Sequence, residues 1–347
     1  MARVVVNTRV LGAELTGVQR YTSEIVGRID ADIERIEPTR YEQGVRGHVW
    51  EQVVLPARLK KNVLLWSPAN TGPLAVREQV VTVHDVVPLD HPEWLNRRFA
   101  EWYRFLVPKL VVRARSIIAI SEFTKQRLLE TTNGDPEKIE VVYNGVDSRF
   151  YPQDEEKIGN VCDALGIPTR HYVLSLGSLE PRKNLARLMQ AWSRVQAEIQ
   201  EDVWLVVAGA IGKPLVFRDV RLEHVPTRVY FTGYVGDEYL PALYSGAIAF
   251  AYVSVYEGFG LPPLEAMACG TPPVTGDGTA FPEVVGDAGV MVDPFDVDAI
   301  AEGLRLVVED SGLRDKLAIA GRRRADKMTW DICAQRTFAV LEGAAGA

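Results

Sequence analysis

Cysteine is scarce in this chain of 347 residues, which contains only three. Cys162, Cys269 and Cys333 are scattered singly, so they form neither a Cys-x-x-Cys pair nor a disulfide framework. The N-terminus lacks the apolar core of a signal peptide, and no apolar run is long enough to span a membrane. These absences favour a reducing compartment, and we expect a cytoplasmic protein without a membrane-spanning segment.

The nucleotide-binding and metal-binding signatures of several enzyme classes are also missing. No Gly-x-Gly-x-x-Gly follows the first apolar strand, as a dinucleotide-dependent oxidoreductase requires, and there is no P-loop lysine. Asp296-Val297-Asp298 matches an Asp-x-Asp metal pattern, but it directly precedes a helical run at 299–308. Because Asp298 is well placed to cap that helix, we expect no metal site there.

Short apolar runs alternate with helical segments along most of the chain. Continuous apolar runs indicate parallel strands covered on both faces. The chain is also longer than the roughly 250–300 residues that one hydrophobic core supports, which indicates two domains. We predict an α/β protein with domains at 1–165 and 166–330, a connection near 151–170 and a C-terminal helix at 331–347. The predicted strands are 4–6, 63–66, 80–83, 117–120, 141–142, 172–176, 203–208, 229–232 and 247–252.

Two adjacent cations occupy the loop after one of these strands. Arg182 and Lys183 follow the strand at 172–176 and precede a helical run at 185–197. Arginine binds phosphate oxygens bidentately, lysine adds a point charge, and the start of a helix contributes partial positive charge. The loop is therefore a candidate diphosphate site, with an exposed basic turn as the alternative.

The segment 256–270 combines glycines, prolines and two glutamates. Gly258 and Gly260 allow backbone N–H groups to approach a ligand closely, and the two prolines suit the first turn of a helix. Glu257 precedes this loop, and Glu265 lies within the predicted helix. Carboxylates in these places can accept hydrogen bonds from two polyols, such as a sugar and a ribose, with phosphates at the helix N-terminus between them.

With these motifs the chain resembles glycosyltransferase family 4, the retaining enzymes with the GT-B fold. The likeness extends from Gly17 through 120–125 and 143–147 to the two motifs of the second half. It implies two Rossmann-like, doubly wound domains that face a central cleft. It also implies that the helix at 331–347 packs back on the first domain.

The resemblance implies roles for individual residues. Arg182 and Lys183 match the basic pair that binds the donor diphosphate. Glu257 matches the glutamate near the donor sugar, and Glu265 matches the glutamate at the nucleotide ribose. Gly17 matches the first-domain glycine that approaches the phosphates. The other expected donor-binding residues of these motifs are Ser178, Gly258, Phe259, Gly260 and Leu261.

Two further pairs of residues match the family. His84 and Asp85 end a strand of the first domain, as does the family's histidine that contacts the donor sugar. A core histidine bonded to the backbone and an aspartate that caps the next segment are the alternatives. Tyr234 and Val235 follow a strand where such enzymes place the nucleobase, although Tyr234 also suits simple packing at the strand end.

The resemblance implies a retaining hexosyltransferase that needs no metal or other cofactor. The departing diphosphate would help to deprotonate the acceptor, while the basic pair stabilises its developing charge. The expected substrates are a nucleotide sugar, with GDP-mannose as the first choice, and an oligosaccharide or lipid-linked acceptor of surface polysaccharide synthesis. A UDP-sugar-dependent transferase, a nucleotide-sugar epimerase and a non-catalytic nucleotide-sugar-binding module remain open. No nucleic-acid partner is expected.

Residues 94–115 interleave aromatic and basic side chains. A helix of this composition can lie in a membrane interface, so peripheral contact with the inner face of the cytoplasmic membrane is one interpretation. An amphipathic helix with its apolar face on the core and its charged face in solvent is the other.

Overall fold

A computed structural model describes residues 3–12, 17–29, 33–38, 44–177, 180–199, 202–209 and 225–346. The chain forms two compact units, each with its own parallel sheet of six strands. The first unit comprises Met1–Pro92, Arg97–Gly145 and Trp330–Ala347, and the second comprises Glu93–Asn96 and Val146–Thr329.

The twelve described strands are short, and most consist of buried apolar residues. This is the pattern of parallel strands with helices on both faces. The first sheet has the order β2-β1-β3-β4-β5-β6, and the second has the order β12-β11-β10-β7-β8-β9. The strands are β1 Arg3–Asn7, β2 Glu34–Ile36, β3 Val63–Ser67, β4 Gln79–Val83, β5 Ser116–Ala119, β6 Ile139–Val141, β7 Tyr172–Leu176, β8 Trp204–Ala208, β9 Val229–Gly233, β10 Ala249–Tyr252, β11 Pro273–Gly276 and β12 Val290–Val292.

Helices connect most of the consecutive strands, although β3 and β4 are joined without a helix. In the first unit, α2 continues into α3 through a π-helical turn at Trp50–Val54. The helices are α1 Gly17–Arg28, α2 Gly44–Val49, α3 Leu55–Arg58, α4 Val87–Asp90, α5 Arg97–Arg113, α6 Glu122–Thr131, α7 Glu155–Ala164, α8 Leu185–Glu198, α9 Leu240–Ser245, α10 Leu261–Ala268, α11 Phe281–Val284, α12 Val297–Glu309, α13 Ser311–Ala325 and α14 Trp330–Gly346. This alternation confirms the predicted doubly wound α/β class.

The last helix, α14, completes the core of the first unit. The ring of Trp330 lies 6.2 Å from that of Tyr21 on α1, and both side chains are fully buried. At the surface, Arg28 Nε donates to Asp331 Oδ1 at 2.7 Å. The helix begins at Trp330, one residue before the predicted start near Asp331. A segment at the end of the sequence therefore packs with the first helix of the chain.

The boundary between the units lies earlier than the sequence predicts. Residues 146–165 belong to the second unit, and the predicted connection contains the helix α7. Asp154 caps this helix by accepting from Lys157 N at 2.8 Å, and Ile158 and Cys162 are buried one turn apart. The prediction was wrong here because two apolar residues, set among charged ones, were sufficient to dock a short helix.

The Asp-x-Asp sequence forms a helix cap, but at a different residue from the one predicted. Asp296 Oδ1 accepts from Asp298 N at 2.8 Å and from Ala299 N at 3.2 Å, so Asp296 is the N-cap of α12. Asp298 lies in the first turn and pairs with Arg194. Both aspartates therefore have structural roles in the cap and its flanking ion pair.

The segment 94–115 does not form a single helix. Trp94 ends a short 3-10 turn in the second unit, where its ring lies 6.4 Å from that of Tyr256. In the first unit, α5 buries Leu106, Val107 and Leu110 and leaves basic side chains exposed, which matches the amphipathic alternative. Within the described residues, no helix has the length and apolarity that a membrane span requires.

Candidate active site

The order of the second sheet defines a specific place for a ligand. Strands β7 and β10 are direct neighbours, but the chain leaves β7 toward β8 on one side and leaves β10 toward β11 on the other. In open parallel sheets, ligands bind outside the carboxyl ends of the strands at such a switch point. Both motifs of the second half begin here.

Asn184 ties the loops after these two strands together. Its backbone is left-handed with φ 58°, and its buried amide donates to Val253 O at 3.1 Å and to Pro294 O at 2.6 Å. Beside it, Val255 N donates to Arg182 O at 2.8 Å. Asparagine tolerates the left-handed region better than most residues, and it bonds backbone readily. The basic turn Pro181–Lys183 is therefore held in a fixed position.

Both cations of this turn bind the same carboxylate. Arg182 donates to Glu257 Oε2 at 2.8 Å, and Lys183 Nζ donates to Glu257 Oε1 at 2.8 Å. Arg182 Nε also donates to Glu180 Oε2 at 2.8 Å. The three side chains Arg182, Lys183 and Glu257 are each less than one-fifth exposed. The structure thus brings together the predicted diphosphate ligands and the predicted sugar ligand.

A tyrosine that no sequence motif indicated joins this group. Tyr252, the last residue of β10, is buried, and its hydroxyl donates to Glu257 Oε1 at 3.1 Å. The same hydroxyl accepts a hydrogen bond from Lys183 Nζ, which lies 4.7 Å from the centre of the tyrosine ring. Its position at the carboxyl end of a strand was the only sequence signal.

Burial and mutual charge set the protonation of these groups. Burial opposes ionisation of Glu257, but the charges of Arg182 and Lys183 outweigh it and hold the Glu257 pKa at about 2. The pKa of Lys183 is lowered, mainly by burial and next by the positive charge of Arg182, whereas Glu257 acts in the opposite direction. Glu257 is therefore a permanent carboxylate at neutral pH and a weak proton acceptor.

The second glutamate of the motif has a separate partner. Glu265 on α10 is buried, and Tyr244 on α9 donates to its Oε2 at 3.0 Å. Burial first, and Glu265 second, raise the pKa of Tyr244, so this hydroxyl remains a donor. Each motif glutamate therefore has its own buried tyrosine, Tyr252 for Glu257 and Tyr244 for Glu265.

A glycine is required at the start of α10. Gly260 caps this helix with φ 108°, and a Cβ there would lie 3.2 Å from the ring of Phe281. Because the prolines of the first turn carry no N–H, the amide donors at the helix start come from Gly260 and Leu261. Gly258 and Phe259 are buried beside them. These amides can bind an anion, as the motif predicts.

The other predicted donor-binding residues of the second unit differ in accessibility. Tyr234, directly after β9, is 78% exposed, so it does not serve as strand-end packing. Val235 is buried, and only its backbone is suited to ligand contact. Ser178 lies outside the described residues.

His84 is buried in the first unit just after β4. Its Nε2 donates to Pro68 O at 2.7 Å, and its ring lies 4.8 Å from that of Tyr21. Burial lowers the pKa of His84 to about 4, although the bond to Pro68 acts in the opposite direction. The His84 ring is therefore neutral at pH 7, with Nε2 as the donor and Nδ1 as an acceptor. The structure places His84 in the core with a backbone partner, and its expected contact with the donor sugar stays a prediction.

Asp85 and Gly17 occupy ends of helices in the first unit. Asp85 Oδ1 accepts from Val87 N at 3.2 Å, although the N-cap residue of α4 is Val86 and not Asp85. Gly17 is exposed and is the first residue of the twelve-residue helix α1. An exposed glycine at a helix N-terminus allows close approach of an anion, and the expected role of Gly17 at the phosphates stays a prediction.

Sequence reasoning missed a buried polar cluster at the switch point of the first sheet, where β1 and β3 are neighbours. Glu51 Oε1 accepts from Asn7 Nδ2 at 2.8 Å and from the Arg9 guanidinium at 3.4 Å. Burial raises the pKa of Glu51, but Arg9 and neighbouring donors outweigh it, so the net direction is downward. Asn7 is the last residue of β1 and Arg9 lies two residues after it, and this position at a strand end was the available signal.

A cavity of about 640 Å³ is also present in the second unit. It is lined by Arg149, Tyr151 and Gln153, by α7 and by the start of α9, and it includes none of the predicted site residues. Among the residues that the structure describes, no group of three His, Cys, Asp or Glu side chains is arranged to bind a metal.

The Glu257 cluster predicts a measurable dependence of stability on pH. The folded pKa of Glu257 lies below its ordinary 4.5, so its contribution is present above pH 4.5 and is lost as the pH falls toward 2. Glu257→Gln should lower the free energy of unfolding by about 3 kcal/mol at neutral pH, and this difference should shrink between about pH 5 and pH 3. Urea unfolding followed by circular dichroism measures it.

The control is Glu302→Gln, which removes a 63% exposed carboxylate of α12 that pairs with Arg305. Exposed pairs contribute little, so this variant should stay within about 1 kcal/mol of wild type at either pH. A difference for Glu257→Gln that does not change with pH would contradict the ionised cluster.

Comparison with known proteins agrees with this geometry. The profile of Glycosyl transferases group 1 matches residues 163–324, and that of Glycosyltransferase Family 4 matches residues 63–150. The chain is 31% identical over 280 residues to O-antigen chain mannosyltransferase B of Escherichia coli, a match covering 80% of this chain and 74% of the relative. It is also 31% identical to the Escherichia coli serotype-specific mannosyltransferase WbdA, over 76% of this chain and 33% of WbdA.

Among solved structures, that of Anabaena HepE in complex with UDP-glucose superposes with a TM-score of 0.76 at 18% identity, covering 99% of this chain and 100% of HepE. The likeness to HepE shows a shared fold, and the predicted GT-B architecture is confirmed at that level. About a third of WbdA is matched, whereas mannosyltransferase B is matched over most of its length. The chain therefore belongs to glycosyltransferase family 4 and is a hexosyltransferase.

Proposed function

We propose that this enzyme transfers mannose from GDP-mannose, with retention of configuration, to a glycan or lipid-linked acceptor in surface polysaccharide synthesis. The observation that carries the proposal is the cluster of Arg182, Lys183 and Glu257 at the switch point of the second sheet. The O-antigen mannosyltransferases among its relatives support mannose as the sugar.

The diphosphate of the donor is proposed to bind between the basic turn and the start of α10. Arg182 and Lys183 provide charged donors there, and Gly260 and Leu261 provide backbone amides. Glu180 and Glu257 balance the two cations, so a diphosphate must share them with carboxylates. The cations can neutralise charge that develops on the leaving group, which is the basis for proposing catalysis without a metal.

Glu257 is proposed to bind the sugar, and a role as nucleophile or general base is disfavoured. A useful general base has a pKa near the working pH, whereas the pKa of Glu257 is about 2. Its two oxygens also accept from Arg182, Lys183 and Tyr252. This supports the departing diphosphate as the group that accepts the proton of the acceptor, and attack on the face that it leaves.

The nucleobase of the donor is proposed to be guanine, as in GDP-mannose. HepE was solved with UDP-glucose, so a UDP-sugar is the second candidate donor. Tyr234, with its exposed ring directly after β9, is proposed to stack on the base, because aromatic rings stack on any nucleobase. A screen of donors distinguishes the two candidates.

Contact with a membrane that carries the acceptor is proposed for one face of the first unit. Val45, Val49 and Val53 form a stripe along α2 and the π-helical turn, with exposed fractions of 79%, 54% and 65%. His48 of the same segment lies 5.7 Å from the ring of Trp102 on α5. Exposed Phe105 and several exposed basic residues of α5 therefore lie on a neighbouring helix, and this combination suits an anionic bilayer interface.

The function predicts acceptor-dependent release of nucleoside diphosphate that persists in EDTA. GDP-mannose, UDP-glucose and ADP-glucose are tested with membrane extracts containing lipid-linked glycans, and nuclear magnetic resonance of the product gives its anomeric configuration. GDP-mannose should be used best, with retention. Conversion of the donor without an acceptor indicates an epimerase, binding alone indicates a binding module, and activity lost in EDTA but restored by Mg²⁺ or Mn²⁺ contradicts metal-free transfer.

Matched variants locate the transfer site in the same assay. Arg182→Ala and Lys183→Ala should each lower kcat by about 100-fold, because they remove charge at the leaving group. Arg194→Ala is the control, since this arginine lies on α8 and pairs with Asp298 at the surface. Equal turnover in all three variants would mean that the basic turn has no catalytic role.

The two motif glutamates are predicted to affect different steps. Glu257→Gln releases both cations from a carboxylate, so free GDP should bind at least as tightly as to wild type while kcat falls. Glu265→Gln should instead raise the Kd for GDP and for the intact donor alike. Calorimetry with GDP, together with initial rates, separates the two effects. The reverse pattern would mean that the donor lies the other way round.

The valine stripe predicts binding to anionic vesicles. The double variant Val49→Asp and Val53→Asp should partition about tenfold less onto phosphatidylglycerol vesicles in co-sedimentation, since two apolar contacts are replaced by charges. Ile319→Asp is the control, because Ile319 is 46% exposed on α13 of the second unit. If the double variant and wild type bind equally, this face does not contact lipid.

A further inference from the structure

Tyr252 contacts both kinds of charge in the cluster but belongs to none of the sequence motifs. It is the last residue of β10, and only 4% of it is exposed. Its hydroxyl accepts from Lys183 Nζ and donates to Glu257 Oε1 at 3.1 Å. A phenol can accept and donate at once, and this geometry uses both capacities.

These contacts restrict the direction of the Lys183 ammonium. An ammonium has three N–H donors, and within the described part of the chain Tyr252 and Glu257 take one each. The ring of Tyr252 also lies 4.7 Å from Nζ, close enough for a cation–π contact. With two donors committed, the direction of the third is fixed. A lysine side chain is otherwise free to rotate about several bonds.

Among the described residues, four groups from three segments face the Lys183 ammonium. Arg182 and Glu180 come from its own turn, Glu257 comes from the loop after β10, and Tyr252 comes from β10 itself. The pKa of Tyr252 is well above its ordinary value. The main cause is burial, and the negative charge of Glu257 is the next largest. The tyrosine therefore remains protonated over the range in which Lys183 titrates.

We propose that Tyr252 is a positioning residue for transfer, whose hydroxyl fixes the Lys183 ammonium so that its third N–H points at the leaving diphosphate. This inference rests on the proposed function, because it takes the diphosphate as the ligand of Lys183. Tyr252 acts through Lys183 and has no contact of its own with the diphosphate. Tyr252 contributes by orienting the Lys183 ammonium, and this orientation matters most when charge develops on the leaving group.

The structure supplies a matched control for this proposal. Tyr244 is also a buried tyrosine with a bond to a motif glutamate, but its partner is Glu265 and it has no lysine contact among the described residues. Replacing either tyrosine by phenylalanine removes one hydroxyl and keeps the ring. Both rings pack against Phe250, at centroid distances of 5.5 Å for Tyr252 and 5.2 Å for Tyr244, so folding should survive in both variants. Thermal unfolding checks this.

Tyr252→Phe should separate turnover from binding. Hydrogen bonds to charged groups are among the strongest in proteins, and we expect kcat for the preferred donor to fall about 10- to 100-fold. The Kd for GDP at pH 7 should change by less than about threefold, because the charge of Lys183 remains. Tyr244→Phe should instead weaken GDP binding, because its hydroxyl bonds to Glu265 and contacts no lysine among the described residues.

The second readout does not depend on any transfer activity. Calorimetry measures GDP affinity between pH 7 and about pH 10, where binding weakens as Lys183 loses its proton. Removing the Tyr252 hydroxyl takes an acceptor from the charged ammonium, which lowers the Lys183 pKa. The alkaline midpoint of binding should therefore move down by about one pH unit in Tyr252→Phe. It should not move in Tyr244→Phe.

The outcomes separate this inference from the proposed function. If wild type binds neither GDP nor UDP, the proposed function fails. If wild type binds GDP and transfers sugar, but Tyr252→Phe matches it in kcat and in alkaline midpoint, the positioning role is overturned. A fall in kcat with an unmoved midpoint also overturns it, since loss of packing alone would give that result.

Discussion

The second unit depends on one buried carboxylate that binds two cations at once. Glu257 joins the loop after β10 to the basic turn after β7, and it lies 75 residues from Arg182 in the sequence. Buried charges are tolerated only when they are paired and hydrogen-bonded, so this contact fixes both loops together. Asn184 adds a bond to Val253 O in the loop after β10 and another to Pro294 O in the loop after β12.

The same arrangement bears on the proposed binding of a diphosphate. Arg182 and Lys183 have counterions in the protein itself, Glu180 and Glu257, so their charge is partly balanced before a substrate arrives. A diphosphate that shares these cations gains charge-assisted bonds without facing a fully uncompensated positive site. In the proposed function, Glu257 would hold the cations in place and would also compete with the diphosphate for them.

Both units have polar side chains at the switch point of their parallel sheet. Each parallel sheet has a point where neighbouring strands lead the chain in opposite directions, at β1 and β3 in the first and at β7 and β10 in the second. Polar groups collect at both points: Asn7, Arg9 and Glu51 in the first, and Lys183 and Glu257 in the second. The backbone geometry of the sheet provides the position, and the loop sequences provide the chemistry.

Sequence pattern was sufficient to predict the α/β class and nine of the twelve described strands, because continuous apolar runs are local signals. The short strands β2, β11 and β12 and the helix α7 were missed. A strand of three or four residues carries too little local pattern, whether it lies at a sheet edge, as β2 and β12 do, or inside the sheet, as β11 does. The same holds for a charged helix with two buried residues.

The amino-acid sequence by itself determined which residue types stand at the ends of the strands: Arg182 and Lys183 after one, Glu257 after another. Only the tertiary structure decided that these three bind one another, that Tyr252 completes the group, and that His84 is neutral and bonded to backbone. The physical reason is that protonation and pairing depend on burial and on neighbours distant in sequence. Burial and distant neighbours are set by the order of the strands in the sheet, and a local stretch of sequence does not determine them.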